Sequence, residues 1–367
     1  MTSGERPRRT ALAVCVVAIA TLAACADDGN SGANASAAAN GERIARPGRP
    51  TWSAGYFQAA LYSELLKELG FTVTAPAEHE YDPEVAYLAM AEGDYDFWAN
   101  GWYSQHFTHH DEELADGSTV ADHVEVLGNQ IPGGALEGLV VTKSVAEEHG
   151  IRSLAQINDD PELVALFDID GNGRADVRGC QDDWTCDDII DETIERNGWS
   201  NLEQIIAGYS GLASDSIERV RRGEPVIQYA WSPSGWLVEL APGTTVSWLS
   251  LGGQEMVIDG TTESGIDYSD VPPATLGSAC TDDPCWPGWE LSDIQVTATT
   301  SFLDAHPDAA ELFRQVQLTL DDIAQANLRY LGGENSEADL ERHAEEWVAE
   351  NRDLVDEWLA AAEAADG

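Results

Sequence analysis

Three tryptophans stand beside turn-forming or cysteine residues, where the loops of a cleft would lie: Trp102 in NGWYSQH, Trp184 in DDWTC and Trp231 in YAWSPSGW. Indole rings converging from separate loops make a cage whose faces attract a cation without offering it a hydrogen bond. That chemistry suits quaternary ammonium, which has no N–H to donate and is recognised through ring quadrupoles. Each contact contributes on the order of 1–2 kcal/mol when desolvated, so a useful affinity needs several rings. The remaining tryptophans read as packing, Trp347 and Trp358 near the C-terminus above all.

Two other clusters invite metal chemistry. HFTHHDEE bunches His106, His109 and His110 beside acids, but His109 and His110 are adjacent and would point apart on a helix. They read as solvated loop histidines rather than zinc ligands. DIDGNGRAD places Asp168, Asp170, Asn172 and Asp176 at positions one, three, five and nine of a calcium loop, with Gly173 at the sharp turn. Position twelve is Gly179 instead of a bidentate Glu. A structural calcium and a tight turn bonding its own backbone therefore both stay open. No GxSxG, HExxH or phosphate-cradling glycine loop occurs, so the chain reads as a non-enzyme with no cofactor beyond that calcium.

The N-terminus sets the compartment. A basic MTSGERPRR precedes the short apolar run TALAVCVVAIATLAAC, the order of an export signal. Leu22-Ala23-Ala24-Cys25 resembles the bacterial lipobox, which implies a signal peptide over 1–24 and lipidation of Cys25. Residues 25–47, rich in Gly, Ala, Ser and Asn, read as a flexible tether with a reach of roughly 25 Å. The expected location is extracytoplasmic, anchored to the cell membrane by lipid. Outside the cytoplasm cysteines pair. Cys180 with Cys186 and Cys280 with Cys285 lack CxxC spacing and a nearby His, so two local disulfides are the economical reading. The second pair reads as a surface-loop staple.

At 367 residues two domains are the natural expectation. Nineteen Lys and Arg against 66 Asp and Glu give a net charge of −47, which excludes nucleic acid and anionic lipid surfaces as partners. The charge fits a salty environment or a heavily solvated exported protein equally well. The elements that would carry the candidate residues alternate. YFQAALYSELLKELG reads as a helix, FTVTA as a strand, and YDPEVAYLAMAEGD as a helix capped by Asp82. YDFWANGW reads as a buried strand, LEGLVVTKSVAEEHG and EPVIQYAWSPSGWLVEL as strand then helix, and the segment after 305 as helices. The pattern is α/β.

The order FQAALYSELLKELGFTV, MAEGDYDFWANGWYSQH, LFDIDGNGRADVRGCQDDWTC and QYAWSP resembles the ProX-type glycine betaine-binding proteins of ABC importers, over nearly all of residues 50–360. The resemblance implies a trimethylammonium box of Trp102, Trp184 and Trp231. It implies a ligand carboxylate held by His106 and by the main-chain N–H groups of Thr185 and Cys186, with the Cys180–Cys186 disulfide framing that loop. Thr185 departs from the family pattern, where Gly stands. The same arrangement makes physical sense, because a betaine needs an aromatic half and a donor half. The expected architecture is a two-lobed, type II periplasmic-binding fold with the ligand cleft between lobes. Residues 48–137 plus 249–367 would form lobe 1, and 138–248 lobe 2. The expected function is capture of glycine betaine or proline betaine for osmoprotectant uptake, delivered to an ABC permease driven by its ATPase. Choline or another quaternary amine is the alternative ligand. A lipid-anchored protein that keeps the fold but has a non-transport or enzymatic role is the second alternative.

Overall fold

The computed structural model describes residues 43–103, 105–252, 276–289 and 291–365. The expected signal peptide over 1–24, with Cys15, and Cys25 with most of the expected tether lie outside the described residues. The fold begins inside the stretch expected as tether, because Ile44–Ala45 (β1) pairs in parallel with Thr72–Val73 (β3). Pro47–Pro50 (β2) then joins the main sheet.

The remaining strands are β4 (Glu80–Tyr81), β5 (Phe97–Tyr103), β6 (Val124–Thr142), β7 (Ala175–Arg178), β8 (Leu202–Ile205), β9 (Ile227–Ser232), β10 (Val246–Trp248) and β11 (Ser292–Thr299). They form a nine-stranded mixed sheet in the order β4-β2-β5-β11-β6-β9-β7-β8, with β10 also on β6. Helices α1 (Tyr56–Glu68) and α2 (Pro83–Ala91) flank the first strands. Then follow α3 (Lys143–His149), α4 (Leu154–Asp159), α5 (Pro161–Phe167), α6 (Thr185–Arg196), α7 (Tyr209–Arg221) and α8 (Gly235–Leu240). The C-terminal region supplies α9 (Thr300–Ala305), α10 (Pro307–Gln315), α11 (Leu320–Leu331), α12 (Glu337–Glu350) and α13 (Arg352–Ala365). The α/β expectation holds.

The long strand β6 organises the molecule. Its first part, residues 124–135, pairs antiparallel with β11, while residues 136–141 pair antiparallel with β9. One strand thus belongs to two neighbourhoods, and its side chains alternate between two cores, as a period of two requires. Leu136 and Val140 join a smaller cluster with Ala230, Leu240, Val246 and Trp248. Leu139 and Val141 face the principal core with Ile227, Tyr229 and Trp231.

Both expected disulfides are formed, Cys180–Cys186 and Cys280–Cys285. The second is not a surface staple: Cys285 is buried in the smaller core, and Thr281 N–H bonds the Trp248 carbonyl. Trp347 and Trp358 are buried and stack with ring centroids 6.0 Å apart, which is the packing role expected of them.

Candidate functional site

One pocket of about 360 Å³ free of protein atoms collects Trp102, His106, Trp184, Thr185, Cys186 and Trp231. The residues singled out from the sequence for a cation and a carboxylate therefore meet in one place. Trp52, Pro83, Gln105, Glu137 and Tyr229 complete the lining.

Trp102 lies on β5 and Trp52 in the bend before α1, and both indole N–H groups donate to the Asn100 side-chain oxygen, at 3.0 and 2.7 Å. Two N–H donors on one atom fix that atom as the amide oxygen. The Asn100 amide nitrogen then donates to Gln58 on α1 at 2.6 Å, and Gln58 donates to Gln130 on β6 at 3.1 Å. All three amides are buried. Two rings are thus aimed by a chain of hydrogen bonds that ties three elements together.

His106 sits in the 3-10 turn Gln105–Asp111 and is 4% exposed. His106 and His110 are both buried, which corrects the solvated-loop expectation. Burial holds His106 well below the usual histidine range, with His109 and His110 nearby adding to the effect. The neutral ring has a defined tautomer. Trp102 N–H donates to His106 Nδ1 at 3.2 Å, and an N–H cannot accept, so Nδ1 carries the lone pair. The proton is on Nε2, which makes His106 a neutral donor in the pocket wall.

Trp184 occupies the N-cap position of α6, so Thr185 and Cys186 are its first helical residues. Their N–H groups have no acceptor within the helix and lie at its positive end, with no side-chain cap on Trp184 to serve them. The Trp184 ring meets Trp52 at 5.5 Å and Trp231 at 5.8 Å, both edge-on. Its indole N–H reaches Thr51 Oγ1 at 2.9 Å and Asp82 Oδ1 at 3.1 Å. Asp82 stands at the N-cap of α2 as expected, yet its side chain does not cap that helix. The carboxylate is used instead by Thr51 and Trp184. Burial raises the Asp82 carboxyl above the usual range, opposed by the Thr51 hydrogen bond.

Glu137 and Trp231 are cross-strand partners on β6 and β9, and Tyr229 shares their face. Tyr229 Oη donates to Glu137 Oε1. Burial pushes the Glu137 carboxyl up to about 7, against the lowering effect of that hydrogen bond.

Sequence reasoning missed Trp52, Glu137 and Tyr229. Trp52 stands in PTWSAG beside turn residues, the same signal that marked the other three. Tyr229 follows from Trp231 by strand alternation. Glu137 requires the β6–β9 register and left no local signal.

In the acidic turn, carboxylate oxygens of Asp168, Asp170 and Asp176 lie within 4.8 Å of one another. Asn172 stands beside them: its amide nitrogen bonds Asp170 and Glu203, and its oxygen accepts from Arg174 N–H. Asp168 accepts the N–H groups of Gly171, Asn172 and Gly173, as a self-bonded turn does.

The profile of the family described as substrate-binding domain of ABC-type glycine betaine transport systems matches residues 46–350. The chain belongs to this family. It is a family of transport receptors rather than of enzymes. The glycine betaine-binding periplasmic protein OusX of Dickeya dadantii is 33% identical over 327 residues, covering 87% of this chain and 90% of that protein. The glycine betaine/proline betaine-binding periplasmic protein of Salmonella typhimurium is 30% identical over the same shares. Among solved structures, lactococcal OpuAC in its closed form with glycine betaine superposes with a TM-score of 0.61 at 14% identity, covering 87% of this chain and 100% of that one. A choline-binding protein of an ABC transporter, in complex with choline, gives 0.61 at 14% identity over 88% of this chain and 98% of that one. Both are similar in fold, and the type II periplasmic-binding architecture is the one this receptor shares.

Proposed function

We propose that this receptor captures glycine betaine or proline betaine outside the cytoplasm and delivers it to an ABC permease driven by its ATPase, for osmoprotectant uptake. The observation that carries the reading is the meeting, in one pocket, of four indoles with the His106 donor and the first N–H groups of α6. The rings of Trp102, Trp184 and Trp231, joined by Trp52, would surround the trimethylammonium head. The His106 Nε2–H and the Thr185 and Cys186 N–H groups would hold the carboxylate. Thr185 in place of Gly is compatible with that role, since the donor is the backbone. Lobe 1, 48–137 with 249–367, would close on lobe 2, 138–248, by bending where β6 changes partners. The Trp184 bonds to Thr51 and Asp82 fit a closed state. Among the described residues no helix is long and apolar enough to cross a membrane, and attachment would rest on the lipid at Cys25.

Calorimetric titration of the purified protein with glycine betaine, proline betaine, choline and proline tests this reading. Saturable binding of a betaine is expected; folded protein that binds no betaine at any salt concentration overturns it. Choline is the second reading, favoured by the buried acid Glu137 in the wall.

A structural calcium in the acidic turn is a separate proposal. Its support is the three converging carboxylates and the buried Asp176 Oδ1, which has no partner among the described residues. The comparisons do not speak for it. A fall in melting temperature on adding chelator is expected, and an unchanged melting curve leaves the self-bonded turn as the whole account.

A further inference from the structure

Glu137 is the one acid in the pocket wall, and its bonding is half complete. Oε1 accepts from Tyr229, while Oε2 is buried with no partner among the described residues. No Lys, Arg or His among those residues pairs with it. A carboxylate taken out of water without a positive partner is costly, so such groups either keep a proton or await a cation. The same wall is lined with aromatic rings suited to a fixed positive charge.

We propose that Glu137 is a specificity-determining residue whose Oε2 faces the ligand's cationic head and acts as its counter-ion. The proposal rests on the reading of this pocket as a quaternary-ammonium site. A quaternary head offers no N–H, so the interaction is Coulombic and is strongest for ligands of net positive charge. A zwitterion gains less, because its own carboxylate repels Glu137. The Glu137 carboxylate therefore biases the site toward choline-like cations, while His106 and the α6 N–H groups bias it toward betaines.

Binding is then linked to protons. In the empty pocket Glu137 titrates near pH 7, held there by burial. A cation beside it favours the charged form, so ligand binding below that pH expels a proton and affinity falls as the pH drops. An opposite charge within ~4–6 Å shifts a carboxyl by about 1–3 units, which corresponds to an affinity difference of about ten- to a thousandfold between the high- and low-pH plateaus.

Other titratable groups surround the site. Burial holds His106 on the 3-10 turn well below the usual histidine range. Tyr209 on α7, which bonds the Tyr229 carbonyl, is raised further from it by burial. Asp82 at the start of α2 is raised and is tied to Trp184. Asp187 on α6 is pushed up to about 6 by burial and neighbouring acids, but it accepts from Gln204 and does not line the pocket. Glu137→Gln is therefore the discriminating change.

The experiment is titration calorimetry of wild type and Glu137→Gln with choline and glycine betaine from pH 5.0 to 8.5, in buffers of different ionisation enthalpy. Wild type is expected to release a proton near neutrality and to bind at least tenfold more tightly at pH 8.5 than at pH 5.0. Glu137→Gln is expected to flatten the profile and to weaken choline more than glycine betaine at pH 8.5. Binding with no proton release, or with proton uptake, overturns this proposal and leaves the quaternary-ammonium reading intact. Absence of binding by both ligands overturns that reading instead. The wild-type proton count decides the matter even where the variant fails to fold.

Discussion

The two walls of the pocket are built on different terms. On one side the indole N–H groups of Trp52 and Trp102 are engaged by Asn100, and His106 Nδ1 by Trp102 N–H and Tyr87. On the other side Glu137 Oε2 and Trp231 Nε1 are buried without a partner among the described residues. Gln105 is the exception on the first wall, since its Nε2 also lacks one. The first wall is rigid before a ligand arrives; the second holds polar atoms that gain partners only from something placed between them. Preorganisation and incompleteness are divided between the walls, and Trp184 joins them, standing on α6 while bonding Thr51 and Asp82 opposite.

The sharpest way to break that arrangement is to remove the bridge. Trp184→Ala takes away one face of the cage and the bonds to the opposite wall. A lost desolvated cation contact of about 2 kcal/mol is already worth some thirtyfold, and the lost bridge adds to it. Calorimetry should show betaine affinity down by about a hundredfold or more, with the fold intact by circular dichroism. Affinity within a few-fold of wild type would remove Trp184 from the site.

His106→Ala tests the donor half of the rigid wall. A hydrogen bond to a charged group is worth about 1.5–3 kcal/mol, so glycine betaine affinity should fall at least tenfold. Choline, which has no carboxylate, should be almost unaffected; equal losses for both would show that His106 shapes the pocket rather than binding the carboxylate. His106 also sets a pH limit. Its folded-state value is depressed, so its contribution to stability is complete above the unfolded value of about 6.5 and is lost as the pH falls below it. Glu137 has the opposite sign, because its folded value is raised. Its contribution is complete below about 4.5 and is lost as the pH rises through about 7. The empty protein is therefore pressed from both sides, by one residue of each wall.

These walls were unequally legible in the sequence. Trp102, Trp184 and Trp231 stood out because each sits beside a turn or cysteine, and His106 through the resemblance to the glycine betaine-binding family, which implies a His four residues after the first Trp. The alternation of elements and the two disulfides were readable for similarly local reasons. Non-local facts were not. Glu137 enters the site only through a strand register linking residues almost a hundred positions apart. Asp82 stands at the N-cap position where the sequence placed a cap, yet its carboxylate serves Trp184, a tertiary use that competes with capping. The helical run after 336 breaks at Asn351, whose amide bonds the Trp347 carbonyl; periodicity alone passes over it.

Asn100→Leu tests whether the first wall is rigid by design. The substitution leaves the Trp52 and Trp102 N–H groups buried with no acceptor, at about 1–3 kcal/mol each. Melting temperature should drop, and betaine affinity should fall several-fold although Asn100 does not line the pocket. Lost stability with unchanged affinity would mean that the rings are held by packing alone.

The smallest effect distinguishes the two disulfides. Cys180 and Cys186 close the short loop that carries Trp184, and Asp183 within it adopts φ +68°, a left-handed backbone that the closed loop has to hold. Cys280 and Cys285 close a loop of similar size in the smaller core, away from the pocket. Chain entropy assigns both the same order of stabilisation, about 2 kcal/mol, so replacing either pair by Ala should lower the melting temperature comparably. Affinity should separate them. Without Cys180–Cys186 the Trp184 loop must be ordered at the moment of binding, and the loss should be a few-fold, because Thr51 and Asp82 still hold the indole in the bound state. Without Cys280–Cys285 affinity should not change. An equal loss from both would reduce the Cys180–Cys186 bond to a stabilising staple, and the orientation of Trp184 would then rest on its contacts across the pocket.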